Sequence, residues 1–568
     1  MSSHFREALR AHRQREENRR WLFVAYDQLT DAVGPLAREP ATELGIVVVE
    51  CPEKAARRPY HKQKLALVLT NLRHFSLEQA KRGVAVRHVV APSYAAAIEP
   101  LAAELGRAIE MMQPAERELR AELAPLVETK RLTVIPHEGW LTTADDFLAS
   151  QDGPPWRMDA FYRHVRRRLD ILMKDGKPVG GRFSFDTENR KPWRGEPPAP
   201  ALPRFQVDAI TEEVCALVRE RMARHPGTLT PDRIPATRED AERVWAWALA
   251  ECLPTFGPYE DAMSTRSRNL FHTQISALLN LQRLSAHRVV ADVAGDARIP
   301  LPSREGFVRQ ILGWREYMHH AHEATDGLRV VAGVVQPTAA GPGDGGYGGW
   351  NATAWPAPNG GDGGSLASHL GTSRPVPPAY WGAPSGLRCL DIVIAGVWED
   401  AYSHHIIRLM VLSNLAMLLD LSPRELTDWF WVAYVDAYDW VVEPNVHAMG
   451  TFGVGDLLTT KPYIAGSAYI DRMSDYCKGC RFDPKTTCPF PSLYWAYLGR
   501  HAETLSKVQR MRLPIAAESK RSPAQRRDNA ATFERVSAAL SAGQELVPPQ
   551  PPQPPQPPQP PKGQGALF

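Results

Sequence analysis

Four cysteines in the second half of the chain have the spacing of a metal site. Cys477 and Cys480 form a CxxC pair, Cys488 follows a little further on, and Cys389 lies far upstream. Three closely spaced thiols and one remote thiol can complete a four-thiolate site, which both zinc and iron–sulfur clusters accept. The spacing leaves the choice between zinc and a cluster open, with unrelated buried thiols as the alternative to both.

Two adjacent histidines lie between these cysteines. His404 and His405 point in different directions on a helix, and Arg408 shares a face with His404 one turn later. An imidazole is suited to proton transfer near neutral pH, and a guanidinium to holding an anion. The pattern is compatible with His404 as a proton donor and Arg408 as an anion-binding group. The alternative is one exposed histidine and one core histidine.

Aromatic residues are dense in the same region. Oxidisable side chains can relay electrons if they are stacked near a flavin, whereas aromatics at such spacings also commonly fill a hydrophobic core. Both interpretations apply to Trp381, Trp429, Phe430, Trp431 and Trp440.

Length and composition describe an ordinary globular protein. The 568 residues are enough for roughly two to four domains. Hydrophobic content is 43%, charged content 23% and net charge +3, so a nucleic-acid-binding surface would have to be a local basic face. No run of about 18 apolar residues is present, so we expect no membrane span. The Arg- and Glu-rich residues 1–20 do not resemble a secretory signal, so we expect a cytoplasmic protein with reduced cysteines.

Short apolar runs alternate with helical patterns in the first part of the chain. The runs cover residues 21–25, 45–50, 85–90 and 132–135, and this alternation predicts an α/β unit with a parallel sheet. Ligands of such sheets bind at the carboxyl ends of the strands. A small-molecule pocket is therefore expected near Asp27, Glu50 and His61, unless Asp27 caps a helix.

The rest of the chain predicts a linker, an all-helical region and a tail. Helical patterns are dense from about residue 205 onward, and residues 336–378 are a Gly/Pro-rich insertion. The tail carries a Pro-Pro-Gln repeat that favours extended polyproline II. The predicted organisation is an extension (1–19), an α/β domain (20–150), a linker (151–204), a helical domain (205–515) and the tail (516–568).

The predicted linker carries basic and aromatic residues together. Arg182, Arg190 and Lys191 lie in a stretch with turn-forming residues, and such a loop is able to contact phosphates. An ordinary solvated connection between domains is the alternative.

Several motifs taken together carry a family resemblance. The chain resembles the iron–sulfur bacterial cryptochromes and photolyases, the prokaryotic (6-4) photolyase branch, over roughly residues 20–320 and 380–515. The motifs are Tyr26-Asp27-Gln28-Leu29, Tyr60-His61-Lys62-Gln63-Lys64, the His404–Met410 stretch, Tyr434-Val435-Asp436-Ala437-Tyr438 and the Ala468–Cys477 stretch.

The resemblance implies cofactors and site residues that the composition does not show. It implies a Rossmann-like domain for a 6,7-dimethyl-8-ribityllumazine antenna near Asp27, Glu50 and His61, and an all-helical domain for FAD. The four cysteines above would hold a [4Fe–4S] cluster, and Trp429 would be the flavin-proximal electron relay, with Trp381 and Phe430 beyond it. The FAD contacts would be Phe271, His272, Thr273, Asn280, Arg309, Gln310, Arg408 and Asp436.

The resemblance also implies an activity. Reduced FAD excited by light would repair a (6-4) pyrimidine–pyrimidone lesion in UV-damaged DNA, with His404 and His405 flanking the lesion and Tyr463 on the DNA side. The loop with Arg182, Arg190 and Lys191 would grip the duplex, and we expect a monomer. A cryptochrome-like photoreceptor without repair activity is the alternative, and a zinc-bearing DNA-binding module without flavin is a third.

Three departures from the family pattern bear on these expectations. Phe430 stands where the family can carry an oxidisable tyrosine, and Tyr26 stands where a glycine is usual beside the antenna aspartate. The Gly/Pro-rich insertion replaces an aromatic-rich connection near the flavin.

Overall fold

A computed structural model describes residues 3–339 and 363–549. Most of the predicted insertion and nearly all of the Pro-Pro-Gln repeat therefore lie outside the described residues. None of the helices within the described ranges is long and apolar enough to cross a membrane. The predicted domain boundaries stay predictions.

A five-stranded parallel sheet is built from the first part of the described chain. Its spatial order is β3-β2-β1-β4-β5, so the order reverses beside β1. All seven residues of β2 are buried, which is typical of a parallel strand covered on both faces. This confirms the predicted α/β unit, but β4 had no counterpart among the four predicted runs. The strands are β1 (Arg20–Phe23), β2 (Leu44–Glu50), β3 (Ala85–Val90), β4 (Ile109–Met112) and β5 (Leu132–Ile135).

Close approach between β1 and β2 depends on a glycine. Gly45 pairs with Trp21 in register, and a Cβ atom at Gly45 would lie 2.7 Å from the Trp21 ring. A larger residue at this position would push the first two strands of the sheet apart.

Helices cover the sheet on both sides. The longest, α4, begins where the Nδ1 atom of His61 accepts a hydrogen bond from the Gln63 N–H at 3.0 Å, and it ends at Gly83 in the left-handed conformation. The helices of this part of the chain are α1 (His4–Ala11), α2 (Pro35–Arg38), α3 (Pro52–Ala56), α4 (Lys62–Arg82), α5 (Tyr94–Leu105), α6 (Arg117–Glu128) and α7 (Ala144–Ala149). Of these, α7 packs on later helices rather than on the sheet.

The predicted linker contains one helix and a small hairpin. Helix α8 (Met158–Arg168) is followed by β6 (Met173–Lys174) and β7 (Lys177–Pro178), which pair antiparallel. Phe185, Asn189 and Trp193 are buried in the irregular stretch that follows, so this stretch is fixed to the protein surface.

The remainder of the described chain is helical, as predicted, apart from one short hairpin, β8 (Val330–Val331) and β9 (Val334–Val335). The helices before it are α9 (Ala209–Arg221), α10 (Arg238–Trp247), α11 (Leu253–Phe256), α12 (Ser276–Asn280), α13 (Ala286–Gly295), α14 (Leu301–Val308) and α15 (Glu316–Ala324). Those after it are α16 (Arg388–Asp400), α17 (His405–Ile407), α18 (Asn414–Leu418), α19 (Pro423–Ala433), α20 (Asp439–Val442), α21 (Ser467–Met473), α22 (Pro489–Arg500), α23 (Ala502–Leu505), α24 (Arg512–Ser519) and α25 (Pro523–Ser541).

Three of the four wider π-helical turns in the described residues lie at one cavity, and the fourth, Ala248–Cys252, does not. The three at the cavity cover Arg309–Arg315, Arg408–Ser413 and Glu443–Gly450. Each contributes residues to the wall of the same cavity. Because π-turns widen a helix locally and are frequent at functional sites, they mark this cavity as the candidate site.

Candidate functional site

A cavity of about 290 Å³ lies among the helices of the second half of the chain. Its wall combines aromatic and aliphatic side chains with a few polar groups, the usual character of a site for a bulky organic ligand. The polar part includes His272, Thr273, Gln274, Ser276, Asn280, Gln310, Arg315, Ser403, His404, His405, Arg408 and Asp436.

An ion pair between half-buried Arg408 and buried Asp436 forms one side of the cavity. Arg408 donates to both carboxylate oxygens of Asp436, at 3.0 and 2.9 Å, and to the Ser403 carbonyl at 2.7 Å. The Ser276 hydroxyl donates to the same carboxylate at 2.7 Å. Burial alone would raise the pKa of Asp436, but the charge of Arg408 and these hydrogen bonds lower it below its ordinary value. The cavity therefore holds a fixed anion and a fixed cation side by side.

Three histidines form another side of the cavity. The rings of His272 and His404 are stacked, with centroids 4.2 Å apart and planes 6° from parallel. His405 lies across His272 at 69°, with the centroids 5.6 Å apart. The adjacent pair is split as the chain enters α17, so that His404 is buried and the side chain of His405 is 42% exposed.

The two adjacent histidines have different electrostatic surroundings. Both ring nitrogens of His404 lack a hydrogen-bond partner among the described residues. Burial, followed by the neighbouring charges of His272 and His405, lowers the pKa of His404 well below its ordinary value, so the ring is neutral at pH 7. The Nε2 atom of His405 instead lies 3.7 Å from a carboxylate oxygen of Asp261. Burial would raise the pKa of Asp261, but the interaction with His405 lowers it, so this carboxylate is ionised.

These three imidazoles do not make a chelating site. Their ligand atoms come within 4.8 Å of one another. However, the lone pairs of stacked rings run parallel rather than converging on one ion, and the Nε2 atom of His272 lies 3.1 Å from the Glu260 carbonyl oxygen. The cluster is better suited to hydrogen bonding with a ligand in the cavity.

Most of the residues predicted to contact FAD line this cavity. They are His272, Thr273, Asn280, Gln310, Arg408 and Asp436.

Two of the predicted FAD contacts lie behind the wall. Phe271 packs beside Trp193 in a separate apolar cluster, and Arg309 forms ion pairs with Glu260 and Glu305. Glu260 also accepts a hydrogen bond at 2.6 Å from Gln310, which does line the cavity. Arg309 is thus placed to position the wall rather than to touch a ligand.

A chain of aromatic rings leads away from the cavity. Phe430 lies on the wall, and Trp429 lies behind it at 5.1 Å between ring centroids. Trp398 follows at 6.0 Å from Trp429, and Trp381 stacks on Trp398 at 5.2 Å and 17°. Of these rings Phe430 lines the cavity, whereas Trp429 and Trp381 lie beyond it. The predicted order of electron transfer stays a prediction. The sequence did not indicate Trp398 as a member of this chain of rings, because its spacing does not distinguish it from a core residue.

The four predicted metal-binding cysteines are brought together. Cys389 lies in the first turn of α16, Cys477 and Cys480 follow α21, and Cys488 directly precedes α22. All four are free thiols, half-buried in the same apolar region. Burial raises the pKa of the Cys389 thiol, and the other three thiols are close enough to raise it further. The donor set therefore fits a thiolate-bound metal or cluster, whose positive charge would offset this repulsion.

A second, smaller cavity of about 90 Å³ opens between the sheet and α4, with Trp431 of α19 also on its wall. Tyr26, Glu50 and Lys54 are on its wall. Arg73 donates to Glu50 at 2.6 and 3.0 Å, and a ring nitrogen of His88 lies 3.0 Å from the same carboxylate. Burial would raise the pKa of Glu50, but these partners lower it to about 2.

The other two residues predicted for that pocket have different surroundings. Asp27 is buried, neither carboxylate oxygen has a hydrogen-bond partner in the described part of the chain, and burial raises its pKa to about 6. It caps none of the described helices. His61 does not line the cavity, because its ring caps α4 and contacts the Trp398 carbonyl at 3.0 Å.

The residues predicted to meet DNA are at the surface. Arg182, Arg190 and Lys191 are exposed, with Arg182 paired to Glu188 and Arg190 to Asp186. Tyr463 is half-buried against the large core cluster and does not line the main cavity.

The fold and the cavities define a class of protein: a parallel α/β domain followed by a helical region that contains the main cavity and four free cysteines close to one another. Residues 22–233 match the sequence model of the deoxyribodipyrimidine photo-lyase-related protein family. The chain is 32% identical over 536 residues to the (6-4) photolyase of Agrobacterium fabrum, which covers 90% of this chain and 99% of that relative. The chain belongs to this photolyase-related family.

Two further proteins are similar to this chain, one over a short stretch and the other in fold with low sequence identity. An uncharacterised protein of Acanthamoeba polyphaga mimivirus is 41% identical over 69 residues, which is 12% of this chain and 56% of that protein. A class III photolyase from Agrobacterium tumefaciens has a similar fold, with a TM-score of 0.53, 14% identity, and coverage of 93% of this chain and 98% of that structure.

Proposed function

We propose that this protein is a light-dependent DNA photolyase that reverses (6-4) pyrimidine–pyrimidone photoproducts with reduced FAD bound in the main cavity. The observation that carries the proposal is the pair His404 and His405 at one cavity, one ring buried and neutral and the other exposed beside an ionised carboxylate. Similarity to a (6-4) photolyase over nearly the whole of that enzyme supports it.

The polar groups of the cavity fit FAD. When bound, reduced FAD supplies the electron that opens the lesion after excitation by light. Arg408 and Asp436 offer a cation and hydrogen-bond acceptors, and the amides of Asn280 and Gln310 lie on the same wall. The aromatic and aliphatic remainder excludes water from the ligand.

The two histidines have different roles at the lesion. His405 is the proton donor, because its side chain is exposed at the edge of the cavity and its Nε2 atom lies 3.7 Å from the ionised Asp261 carboxylate. His404, neutral and with both nitrogens unpartnered, hydrogen-bonds the lesion and holds it near His405. The proton is delivered to the lesion oxygen that moves from one base to the other. The bond between the two bases then breaks before the electron leaves the lesion.

Light-driven repair tests the proposal directly. Purified, reduced protein is illuminated with an oligonucleotide that carries one (6-4) lesion, with a dark control and a cyclobutane-dimer oligonucleotide in parallel. Restored thymines in the light and none in the dark are expected for the (6-4) substrate. A protein that carries flavin yet leaves both lesions intact would instead be a photoreceptor.

The tryptophan chain is proposed as the route by which oxidised flavin is photoreduced. We expect Trp398→Phe to slow photoreduction by at least about tenfold, because it breaks the contact between Trp429 and Trp381. The rate of photoreduction is measured as the loss of the flavin's blue absorption band under illumination with a thiol reductant. Repair by chemically pre-reduced protein should be unchanged.

Trp140→Phe is the matched control for that variant. Trp140 packs at 5.2 Å on Trp440, a cavity-wall residue, so it begins a second chain of rings. The Arg315 guanidinium lies 4.2 Å above the Trp140 ring and 5.3 Å above Trp440, and this cation opposes loss of an electron from either indole. Equal slowing in both variants would contradict the assigned route.

A [4Fe–4S] cluster is proposed for Cys389, Cys477, Cys480 and Cys488, supported by four free, adjacent thiols. Iron and acid-labile sulfide analysis of anaerobically purified protein distinguishes it from zinc. Bound zinc without sulfide would refute it.

A 6,7-dimethyl-8-ribityllumazine antenna is proposed for the second cavity. The support is the buried, unpartnered carboxyl of Asp27 next to a cavity walled by aromatic rings, including Tyr26. Chromophores released by denaturing the purified protein identify the pigment, and the recovery of flavin alone would contradict the assignment.

DNA binding is proposed to use the exposed basic residues of the 182–191 stretch. We expect Lys191→Ala to weaken binding at all sequences and to reduce the slope of log K against log salt by about 0.9, since one phosphate contact is lost. Fluorescence anisotropy at several salt concentrations measures the slope. Arg219→Ala, on α9 where it pairs with Glu212, is the control and should leave the slope unchanged.

A further inference from the structure

The chain crosses back over the four-cysteine region after its last helix. Residues 543–549, the C-terminal strap, leave the end of α25 in an irregular conformation. Leu546 is 2% exposed, whereas Gln544, Glu545 and Val547 are exposed. One buried leucine in an otherwise exposed segment is an anchor, so the strap is seated on the molecule at a defined point.

The strap is bound to the turn that precedes Cys389. The Leu546 N–H donates to the Ser385 carbonyl at 2.9 Å. At Gly386, with φ of +78°, a Cβ atom would lie 2.2 Å from the Leu546 carbonyl oxygen, so a side chain there would displace the strap. The Ser385 hydroxyl donates to Asp391 at 2.6 Å, which ties this turn to the first turns of α16.

The same strap residues are bound to the CxxC segment. Arg481 directly follows Cys480, and its guanidinium donates to the Leu546 carbonyl at 3.3 Å and to the Glu545 carboxylate at 2.6 Å. Two residues of the strap therefore bridge the segment of Cys389 and the segment of Cys480.

The third cysteine-bearing segment is tied to the same end of the chain. Cys488 is the residue before α22, and α22 packs against α25, the helix from which the strap emerges. The cysteine segments are thus joined in space by α25 and the strap, although they are far apart in sequence.

We infer that the strap is a clamp that holds the Cys389 segment against the CxxC segment and keeps the four-thiol site closed. The inference rests on the proposed metal-binding role of the four thiols. A site whose ligands come from separate segments loses its metal when one segment moves away, so opening of the strap sets the rate of loss. Leu546 and Arg481 are positioning residues, since neither is a ligand.

Matched variants of the full-length protein test the clamp. Leu546→Asp removes the anchor, and Val547→Asp makes the same change at the exposed neighbour, whose exposed fraction is 63%. A chain ending after Gln544 lacks the anchor, whereas one ending after Pro549 retains it. Arg481→Gln weakens the bridge at the surface, which keeps the test valid if Leu546→Asp fails to fold.

Two measurements distinguish loss of the clamp from loss of the cluster. The first is the decay of visible cluster absorption in air, expected to be on the order of tenfold faster in Leu546→Asp, in the chain ending after Gln544 and, to a smaller extent, in Arg481→Gln. The second is maleimide labelling of chelator-treated, metal-free protein, with the modified cysteines assigned by mass spectrometry. Labelling of Cys389 should accelerate in the same variants only.

The outcomes are distinguishable. Wild-type protein that never contains iron would refute the proposed cluster, and the labelling rates would still decide the clamp. Equal decay and equal Cys389 labelling in Leu546→Asp and Val547→Asp would overturn the clamp while leaving the cluster intact.

Discussion

The His405→Ala variant is expected to lose light-driven (6-4) repair by roughly 10²- to 10⁴-fold, the range typical of losing a positioned general acid. His405 is exposed toward solvent and lies beside the ionised Asp261 carboxylate, so it is the imidazole placed to carry a proton to a bound lesion. The measurement is restored thymine per absorbed photon with pre-reduced protein. Flavin content should equal that of the wild type, because His405 is at the edge of the cavity.

Asp261→Asn tests the part that the carboxylate beside His405 plays in repair. The substitution keeps the shape of the side chain but removes the ionised group that lies 3.7 Å from the His405 ring. We expect repair to fall in this variant while flavin content stays at the wild-type level, because His405 remains in place but loses its charged neighbour. Wild-type repair in Asp261→Asn, or full repair activity in His405→Ala, would contradict the assignment of His405 as the donor.

The His404→Ala variant gives a different expected signature. This ring is neutral across the working pH range, because burial lowers its pKa far below 7. Repair by the His404→Ala variant should be slower than wild-type repair, but its dependence on pH should be the same. Adjacent histidines are thus distinguished by their surroundings rather than by their position in the sequence.

Local patterns in the sequence were enough to predict the sheet, apart from one strand. Four apolar runs stood out because strands of parallel sheets are rich in consecutive hydrophobic residues, although only β1 and β2 are buried along most of their length. The strand Ile109–Met112 did not, since it is short and contains Glu110, whose carboxylate accepts a hydrogen bond from Arg20 at 2.8 Å. A charged strand residue with a partner on a neighbouring strand is invisible to a hydrophobicity pattern.

The candidate site was harder to predict, because it is made by contacts between distant segments. The sequence marked His404 and His405 as a pair, but the ring that stacks on His404 is His272, which comes from the stretch before α12. Trp398 likewise gains its place only from stacking on Trp381. Both contacts depend on tertiary packing, which the local periodicity of the sequence does not reveal.

The same limit applies to the C-terminal strap. The Pro-Pro-Gln repeat predicts a tail, but the predicted range 516–568 also contains helix α25, whose Phe533, Val536 and Leu540 are buried. Only the structure shows that Leu546 is buried and that Arg481 and Ser385 bind its backbone. A single anchoring leucine has no periodic neighbours, so no sequence pattern could have revealed it.

The Asp436→Asn variant is expected to lose both stability and flavin. Asp436 is buried, Arg408 is half-buried, and the two are paired through two hydrogen bonds, so removing the carboxylate leaves an uncompensated cation in the cavity wall. Breaking a buried pair in this way typically costs about 3–5 kcal/mol of unfolding free energy. Urea unfolding followed by circular dichroism, and the flavin-to-protein absorbance ratio after purification, measure the two effects.

The pH dependence of the wild type follows from the same pair. The pKa of Asp436 is lowered in the folded protein, so its contribution is fully present above the pKa of the unfolded state. It is lost as the pH falls through the lowered pKa of the folded state. The stability difference between wild type and Asp436→Asn should therefore shrink on acidification below about pH 4, the ordinary value for an aspartate.

Asp232→Asn is the matched control. Arg204 donates to both oxygens of Asp232 at 2.9 Å, so the geometry resembles that of the buried pair, but both side chains are about half exposed. Solvent screening limits such a pair to about 0–1 kcal/mol. Comparable losses in the two variants would show that charge pairing alone, rather than burial in the cavity wall, accounts for the effect at Asp436.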